Sequence, residues 1–272
     1  MTASPTQTSP LGLGLTITNE GLAWPKPPVF EDKRKERDYR KLRLAACFRI
    51  FSMFGMDSGI AGHISCRDPV HPDQFWVNPL GVHFSRITVS DLVLVDHEGH
   101  IVEGRHPINA AAYAIHSRIH LTRPDVVAAA HAHSRFGTMF ASFGVKLRPV
   151  TQEAVAFYED HSVFMGYGGV VAEVSEGQLI AEALGAGKAV ICRNHGPFTV
   201  GQTLEEAVYW FLRMERACEQ TLAIWATGRT PIEIEPPMAE LACKQIGSPL
   251  AGWNALQPLM DKVLAEQPDL AL

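Results

Sequence analysis

Twelve histidines are spread along the 272 residues, and three of them are spaced for metal chemistry. The stretch "VVAAAHAHSRFGTMF", residues 126–140, sets His131 and His133 two places apart at the end of an apolar run. In an extended strand, residues i and i+2 point to the same side, so both imidazoles can be aimed at one point. An apolar setting favours the neutral ring, which is the form that binds a cation. Two histidines do not complete a catalytic centre, which usually takes three protein ligands and leaves a position open. His195 in "AVICRNHGPFTVG" is the best third ligand, since it too follows an apolar strand, on a tight turn where Gly196 and Pro197 fix the backbone. The competing reading makes the HAH segment a hydrogen-bonded strand end and His195 a turn residue.

His116 and His120 stand four apart on an Ala-rich helical stretch, a spacing that also suits a metal pair. No carboxylate follows them in the HExxH sense, so a substrate contact or a supporting role for His116 fits better. The other histidines (His63, His71, His83, His97, His100, His106 and His161) fall mostly in loop-like sequence, where several are expected simply to be solvated. A metal site that moves protons needs a carboxylate. Glu153 in "RPVTQEAVAFYED" is the chosen one, with Tyr158 or His116 as weaker alternatives. The bland alternative makes Glu153 a first-turn helix glutamate favoured by the dipole.

The elements that must position these side chains read as one α/β unit. "EDKRKERDYRKLRLAACFRIFSMFG" has helical spacing and a stop at Gly55. "GHISCR", "QFWVNP", "LVLVD" and "HIVEG" are short strands separated by turn-prone segments. A helix from Ile108 ends before "RPD", where Arg123 is expected to brace the turn. "VVAAAHAH" is a buried strand, followed by a helix begun by Ser134 as N-cap. "SEGQLIAEALGAG" is a helix, "KAVICRN" a strand, and the stretch from Thr203 to Gly228 a long helix with Glu206 in capping-box position. Residues 1–30 read as a surface arm, residues 31–228 as the domain, and residues 229–272, with six prolines, as a tail wrapped on the domain or a neighbouring subunit.

Composition narrows the function. A net charge of −5 gives nucleic acid or an acidic membrane no counterion-release advantage. Five scattered cysteines without a CxxC pair suggest reduced thiols. The N-terminus lacks a basic start before an apolar block, and nowhere do 18 apolar residues run together, so a cytoplasmic protein is expected.

From about Lys41 to Gly228 the chain resembles the class II aldolase/adducin family, on the motifs "AGHISCRDP", "WVNPLGVHFS", "SDLVLVD", "NAAAYAIHSRIHLTRPDVVAAAHAHS", "TQEA", "RNHGPFTVGQTLEEA" and "ERACE". The resemblance implies a three-layer α/β/α fold with a central, mainly antiparallel sheet. It also implies a homotetramer with the site near a subunit interface, and one divalent metal per subunit (zinc, manganese or iron(II)) on His131, His133 and His195. Glu153 matches the acid/base glutamate of the family's methylthioribulose-phosphate dehydratase branch.

The departures bear on substrate. Sugar-phosphate aldolases of the family carry a glutamate eleven positions before the arginine of RPD, where this chain has Ala112. The phosphate cradle reads Gly62-His63 and Asn78-Pro79-Leu80-Gly81, without a hydroxyl or charge at Leu80. A non-phosphorylated substrate is therefore expected, with His63, Gly62, Asn78 and His116 as its binding residues. The pattern is closer to the adducin-like bacterial branch, which includes decarboxylases of aromatic acids. The first expectation is a divalent-metal lyase, cleaving by aldol or decarboxylation chemistry a small carboxylate or carbonyl compound. The alternatives are a non-haem iron(II) oxygenase that oxidatively decarboxylates aromatic 2-oxo acids, as reported for relatives that make prenylated hydroxybenzoate, and a non-enzymatic adducin-like scaffold.

Overall fold

The structure is a computed structural model that describes residues 25–169 and 173–272. In chain order the elements are α1 (Lys33–Met53), β1 (His63–Arg67), β2 (Gln74–Val77), β3 (Val93–Asp96), β4 (Ile101–Glu103), α2 (Ala110–Thr122), β5 (Ala128–His131), α3 (Arg135–Ala141), α4 (Gln152–Val155), β6 (His161–Phe164), α5 (Val174–Leu184), β7 (Ala189–Cys192), β8 (Gly196–Gly201), α6 (Leu204–Ala226), α7 (Pro236–Ile246) and α8 (Pro249–Glu266). The strands form one sheet in the order β4-β3-β2-β1-β5-β8-β7-β6. The β6–β7 pair is parallel, and the other pairings are antiparallel. The expected mainly antiparallel sheet is present.

Alternation along the strands sorts the core into layers. Ile64, Cys66, Trp76, Leu94, Ala128 and Ala130 face α1, α6 and α8. Ala129, Val190, Cys192, Phe198 and Val200 face α2 and α5. Helices therefore cover both faces, giving the α/β/α sandwich. Alanine is a poor strand former, yet three alanines fill β5 at the centre, where small side chains let flanking layers approach closely. Gly177 on α5 serves the same purpose, because a Cβ there would lie 2.0 Å from the Ala114 carbonyl oxygen of α2. No helix among the described residues is long and apolar enough to cross a membrane.

Several local expectations need correction. The tail is helical: α8 buries Leu256, Met260 and Val263 in the core shared with α1 and α6. Of the expected arm, residues 1–24 lie outside the described residues. Residues 25–30 run without regular structure, with the Asn254 side-chain amide on α8 donating to the Pro25 carbonyl. Gly196 and Pro197 belong to β8 rather than to a turn; the turn before it is made by Asn194, which takes the left-handed conformation (φ 58°). Thr203 caps α6 as expected, accepting from the Glu206 N–H, but Glu206 reaches the Gln202 N–H and the Trp210 indole instead of closing a capping box. Arg123 does brace the RPD turn, pairing with Asp125 and donating to the Gly185 and Gly187 carbonyls.

Candidate metal centre

The site forms where three strands end together. In the ladder, His131 at the end of β5 is paired with Phe198 of β8 and with His63 of β1. His195 precedes β8, in the turn that leaves β7. His133 lies just past the end of β5, before α3. The rings of His131, His133 and His195 form a near-equilateral triangle, with centroids 5.2, 4.7 and 5.1 Å apart. One ring nitrogen from each lies within 4.8 Å of the others.

The tautomer of His131 follows from its partners. Its Nδ1 lies 2.9 Å from the Pro197 carbonyl oxygen, so Nδ1 carries the hydrogen and Nε2 keeps its lone pair. That Nε2 is buried without any hydrogen-bond partner. A buried, unsatisfied acceptor is costly unless something else pairs with it. The arrangement, carbonyl behind and bare nitrogen in front, is the one that orients metal-binding histidines. Phe198 stacks on the same ring at 3.9 Å and an interplanar angle of 6°, which fixes its plane.

Electrostatics keeps the rings uncharged. Burial pushes His131 well below the usual imidazole range, with His195, His63 and His133 adding to it. His195 is lowered to about 4, by burial first and by His133 second. Burial also lowers His133, which is the exposed corner of the triangle. Three neutral imidazoles with inward lone pairs fit a divalent cation, and three ligands make the open kind of site rather than a closed structural one.

The helix that follows His133 is anchored by a residue that sequence reasoning missed. Ser134 occupies the N-cap position of α3, but its side chain accepts no backbone N–H. Glu215 on α6 takes over that task, accepting from the Phe136 and Gly137 N–H groups at 2.8 and 2.6 Å and from the Ser134 hydroxyl. Glu215 opens the "ERACE" segment already noted in the sequence.

The remaining candidates are placed unequally. Gly62 (φ 95°) packs against the strand of the histidine pair, where a Cβ would stand 3.3 Å from the His131 carbonyl oxygen and the Ala132 Cα. His63 is buried with its ring centroid 4.9 Å from that of His131, so it is not a solvated loop residue. His161, also expected in a loop, is likewise buried, with both ring nitrogens hydrogen-bonded to backbone. Asn78 follows β2, which runs alongside β1, and its buried Oδ1 has no partner.

His116 is not a substrate contact, because it is wholly buried and both nitrogens are engaged, one with His63 and the other with Ser65. Tyr158 is also misplaced. It precedes β6, whose first residue pairs with Ala189, whereas the triad gathers beyond Cys192 at the other end of β7. Three strand steps, about 10 Å, separate those rows. Glu153 sits half-buried in the first turn of α4, the helix-glutamate position, with Thr151 as N-cap. It lines a cavity of 570 Å³ together with Arg135, Phe136, Tyr209, Arg213 and Glu215, not with the three histidines.

A family model described as "Class II Aldolase and Adducin N-terminal domain" matches residues 42–222. The chain belongs to the class II aldolase and adducin family. Among its relatives, "Decarboxylase NovR" of Streptomyces niveus is 44% identical over 248 residues, covering 90% of this chain and 92% of that one. The "4-hydroxy-3-prenylphenylpyruvate oxygenase/4-hydroxy-3-prenylbenzoate synthase" of Streptomyces roseochromogenus subsp. oscitans is 45% identical, covering 90% and 89%. Of the solved structures, an L-fuculose 1-phosphate aldolase from Glaciozyma antarctica PI12 superposes with a TM-score of 0.82 at 39% identity, over 90% of this chain and 96% of that one.

Proposed function

We propose that this member of the family is a divalent-metal lyase that breaks a carbon–carbon bond in a small, non-phosphorylated 2-oxo carboxylate. The observation that carries the reading is the partnerless, buried Nε2 of His131, turned toward His133 and His195. His131, His133 and His195 would hold one zinc, manganese or iron(II) per subunit. Bound there, such an ion supplies Lewis acidity toward substrate oxygens, worth several kcal/mol as charge develops. The Pro197 carbonyl and the Phe198 ring keep His131 aimed, and the Glu215 cap holds the start of α3 beside His133.

Glu153 is the carboxylate assigned to proton transfer; the cavity it lines also has Arg135, two residues beyond His133, in its wall. Ala112 and Leu80 stand where sugar-phosphate chemistry would need a carboxylate and a polar group, which argues against a phosphorylated substrate. The name of one Streptomyces relative, which includes a phenylpyruvate, favours an aromatic 2-oxo acid, and the name of the other favours decarboxylation. A soluble, cytoplasmic homotetramer that binds neither nucleic acid nor membrane completes the reading. Met139, Phe143, Val145, Met165 and Tyr167 are exposed apolar side chains, with Met165 packed at Gly144 beside Arg193, and a neighbouring copy would cover them.

A second reading keeps the site and changes the chemistry. The oxygenase name of the relative at 45% identity favours iron(II) with dioxygen, and three imidazoles suit that metal as well. Two probes offered to the metal-loaded enzyme separate the readings. Retro-aldol cleavage of a 4-hydroxy-2-oxo acid under nitrogen with zinc or manganese, which leaves the electron pair in an enolate, supports the lyase; carbon dioxide release from phenylpyruvate that needs iron(II) and consumes oxygen supports the oxygenase. A protein that takes up no stoichiometric metal would be the adducin-like scaffold instead.

A further inference from the structure

The sheet face that carries His131 also carries a run of buried imidazoles that the metal reading does not use. His63 stands across from His131 in the β1–β5 ladder. Its Nδ1 lies 2.7 Å from His116 Nε2. His116 Nδ1 lies 2.5 Å from the Ser65 hydroxyl, and that hydroxyl lies 2.8 Å from His120 Nε2. His116 and His120 are one turn apart on α2, and Ser65 is two residues beyond His63 on β1, so each pair shares a face. Phe75 stacks on His120 with centroids 5.3 Å apart. All four polar residues are buried, His63 the least completely, at 3%. Apolar side chains would fill this space without the desolvation cost that three imidazoles and a hydroxyl carry.

The string has two ends without a hydrogen-bond partner among the described residues: His120 Nδ1, which is buried, and His63 Nε2. His63 Nδ1 is committed to His116, which leaves Nε2 without a protein partner beside the triad. Ser65 has a single hydroxyl hydrogen, and two proton arrangements satisfy every link with that hydrogen kept inside the string; a third, in which both imidazoles donate to Ser65, would send it outside. In the first, His120 donates to Ser65, Ser65 to His116 and His116 to His63, leaving hydrogen on His63 Nε2. In the second, each group donates the opposite way, and His63 Nε2 keeps a lone pair.

We propose that His63 Nε2–H binds an anionic oxygen of the substrate next to the triad, and that Ser65, His116 and His120 are positioning residues that hold its ring and set its tautomer. The inference rests on the reading of the triad as a metal centre for a 2-oxo carboxylate. A negative oxygen selects the first arrangement, in which every donor points toward the site and each bond polarises the next. No lysine or arginine belongs to the string, so it offers one neutral donor, suited to a carboxylate or developing oxyanion rather than to a phosphate dianion.

The test uses the full-length, zinc-loaded protein with phenylpyruvate as probe. Ser65→Ala removes the hydroxyl and almost no volume. It should keep one zinc per chain, melt a few degrees lower because two buried imidazole nitrogens lose their partner, and bind phenylpyruvate about tenfold more weakly by calorimetry at a temperature where it is fully folded, and Ser65→Thr should restore binding. In the His63→Leu background, Ser65→Ala should add nothing, because it acts through His63. Ring-nitrogen NMR of histidine-labelled protein should show His63 Nε2 protonated on phenylpyruvate addition in the parent and not in Ser65→Ala. Equal binding by parent and Ser65→Ala, additive losses in the double variant, or a parent that does not bind phenylpyruvate overturns the assignment. Failure of the catalytic reading looks different: the parent binds phenylpyruvate and shifts its His63 ring, but turns nothing over.

Discussion

His133 is the corner of the triad through which the metal can be tested without disturbing the core. It is exposed, whereas His131 is wholly buried and stacked on Phe198. His133→Ala should leave the melting point of the metal-free protein in place, abolish stoichiometric metal by elemental analysis, and lower turnover at least about 100-fold. His131→Ala should do the same to metal and also cost about 2 kcal/mol or more of apo stability, because a cavity opens under Phe198. A second expectation concerns pH. Burial lowers His116 to about 3, pushes His120 well below its usual range, and lowers His161. In the unfolded chain these rings titrate near 6.5. Between those values the unfolded state binds more protons, so stability falls as pH drops below about 6.5 and is unaffected by these groups above it. Each ring contributes up to about 1.4 kcal/mol per pH unit. Urea midpoints of the metal-free protein at pH 7.5, 6 and 5 check this, and a flat profile would mean the rings are not held neutral. At this scale the triad was legible, because a two-residue spacing beside a strand has a geometric meaning by itself. The Ser65 string was not: its links depend on the β1–β5 register and on where α2 lies over the sheet, neither of which is written locally.

Among the elements, the junction of β5 and α3 depends most on a distant partner. Glu215 satisfies two backbone donors at the start of α3 and also takes the Ser134 hydroxyl. Glu215→Ala leaves those groups unpaired, so it should cost about 2 kcal/mol and weaken metal binding about tenfold through the loosened His133 segment. Thermal melting and competition with a metal chelator measure the two effects separately. Glu215→Gln, which keeps one acceptor oxygen, should fall between parent and Ala. Strands β1–β5 and β7 and helices α1, α2, α5 and α6 could be read from hydrophobic period and caps, since neighbours in sequence set those signals. The cap on α3 was assigned to Ser134 because only the local residue is visible in a sequence, while the acceptor came from eighty residues away. The strand β8 was hidden because Gly196 and Pro197 look like turn formers. Pro197 is tolerated there near the strand's start, where its missing N–H costs little and its carbonyl serves His131. The helices of the tail are not legible for a related reason: Pro236, Pro237 and Pro249 sit in the first turns of α7 and α8, where a proline favours a helix rather than breaking it.

On the scale of the whole molecule, the chain after Gly228 completes the core on the face opposite α2 and α5. Leu256, Met260 and Val263 of α8 join Phe48, Phe51 and Phe211 in one apolar cluster, and Arg49 on α1 holds the C-terminal turn through Gln267 and Asp269. The histidines of the triad and the string lie at the strand ends and on the α2 side, so stability and site are supplied by different layers. Leu256→Ala should therefore lower the melting temperature by about 5–15 °C, from a loss of about 2–5 kcal/mol spread over a chain of this size. At 20 °C the same variant should still take up one metal per chain, with turnover close to that of the parent. Removing residues 249–272 altogether bares the aromatic cluster of α1 and α6, and should give an aggregating chain rather than a smaller active enzyme. Loss of metal from Leu256→Ala at 20 °C would show that α8 reaches through the sheet to position the triad, and the separation of layers would then fail.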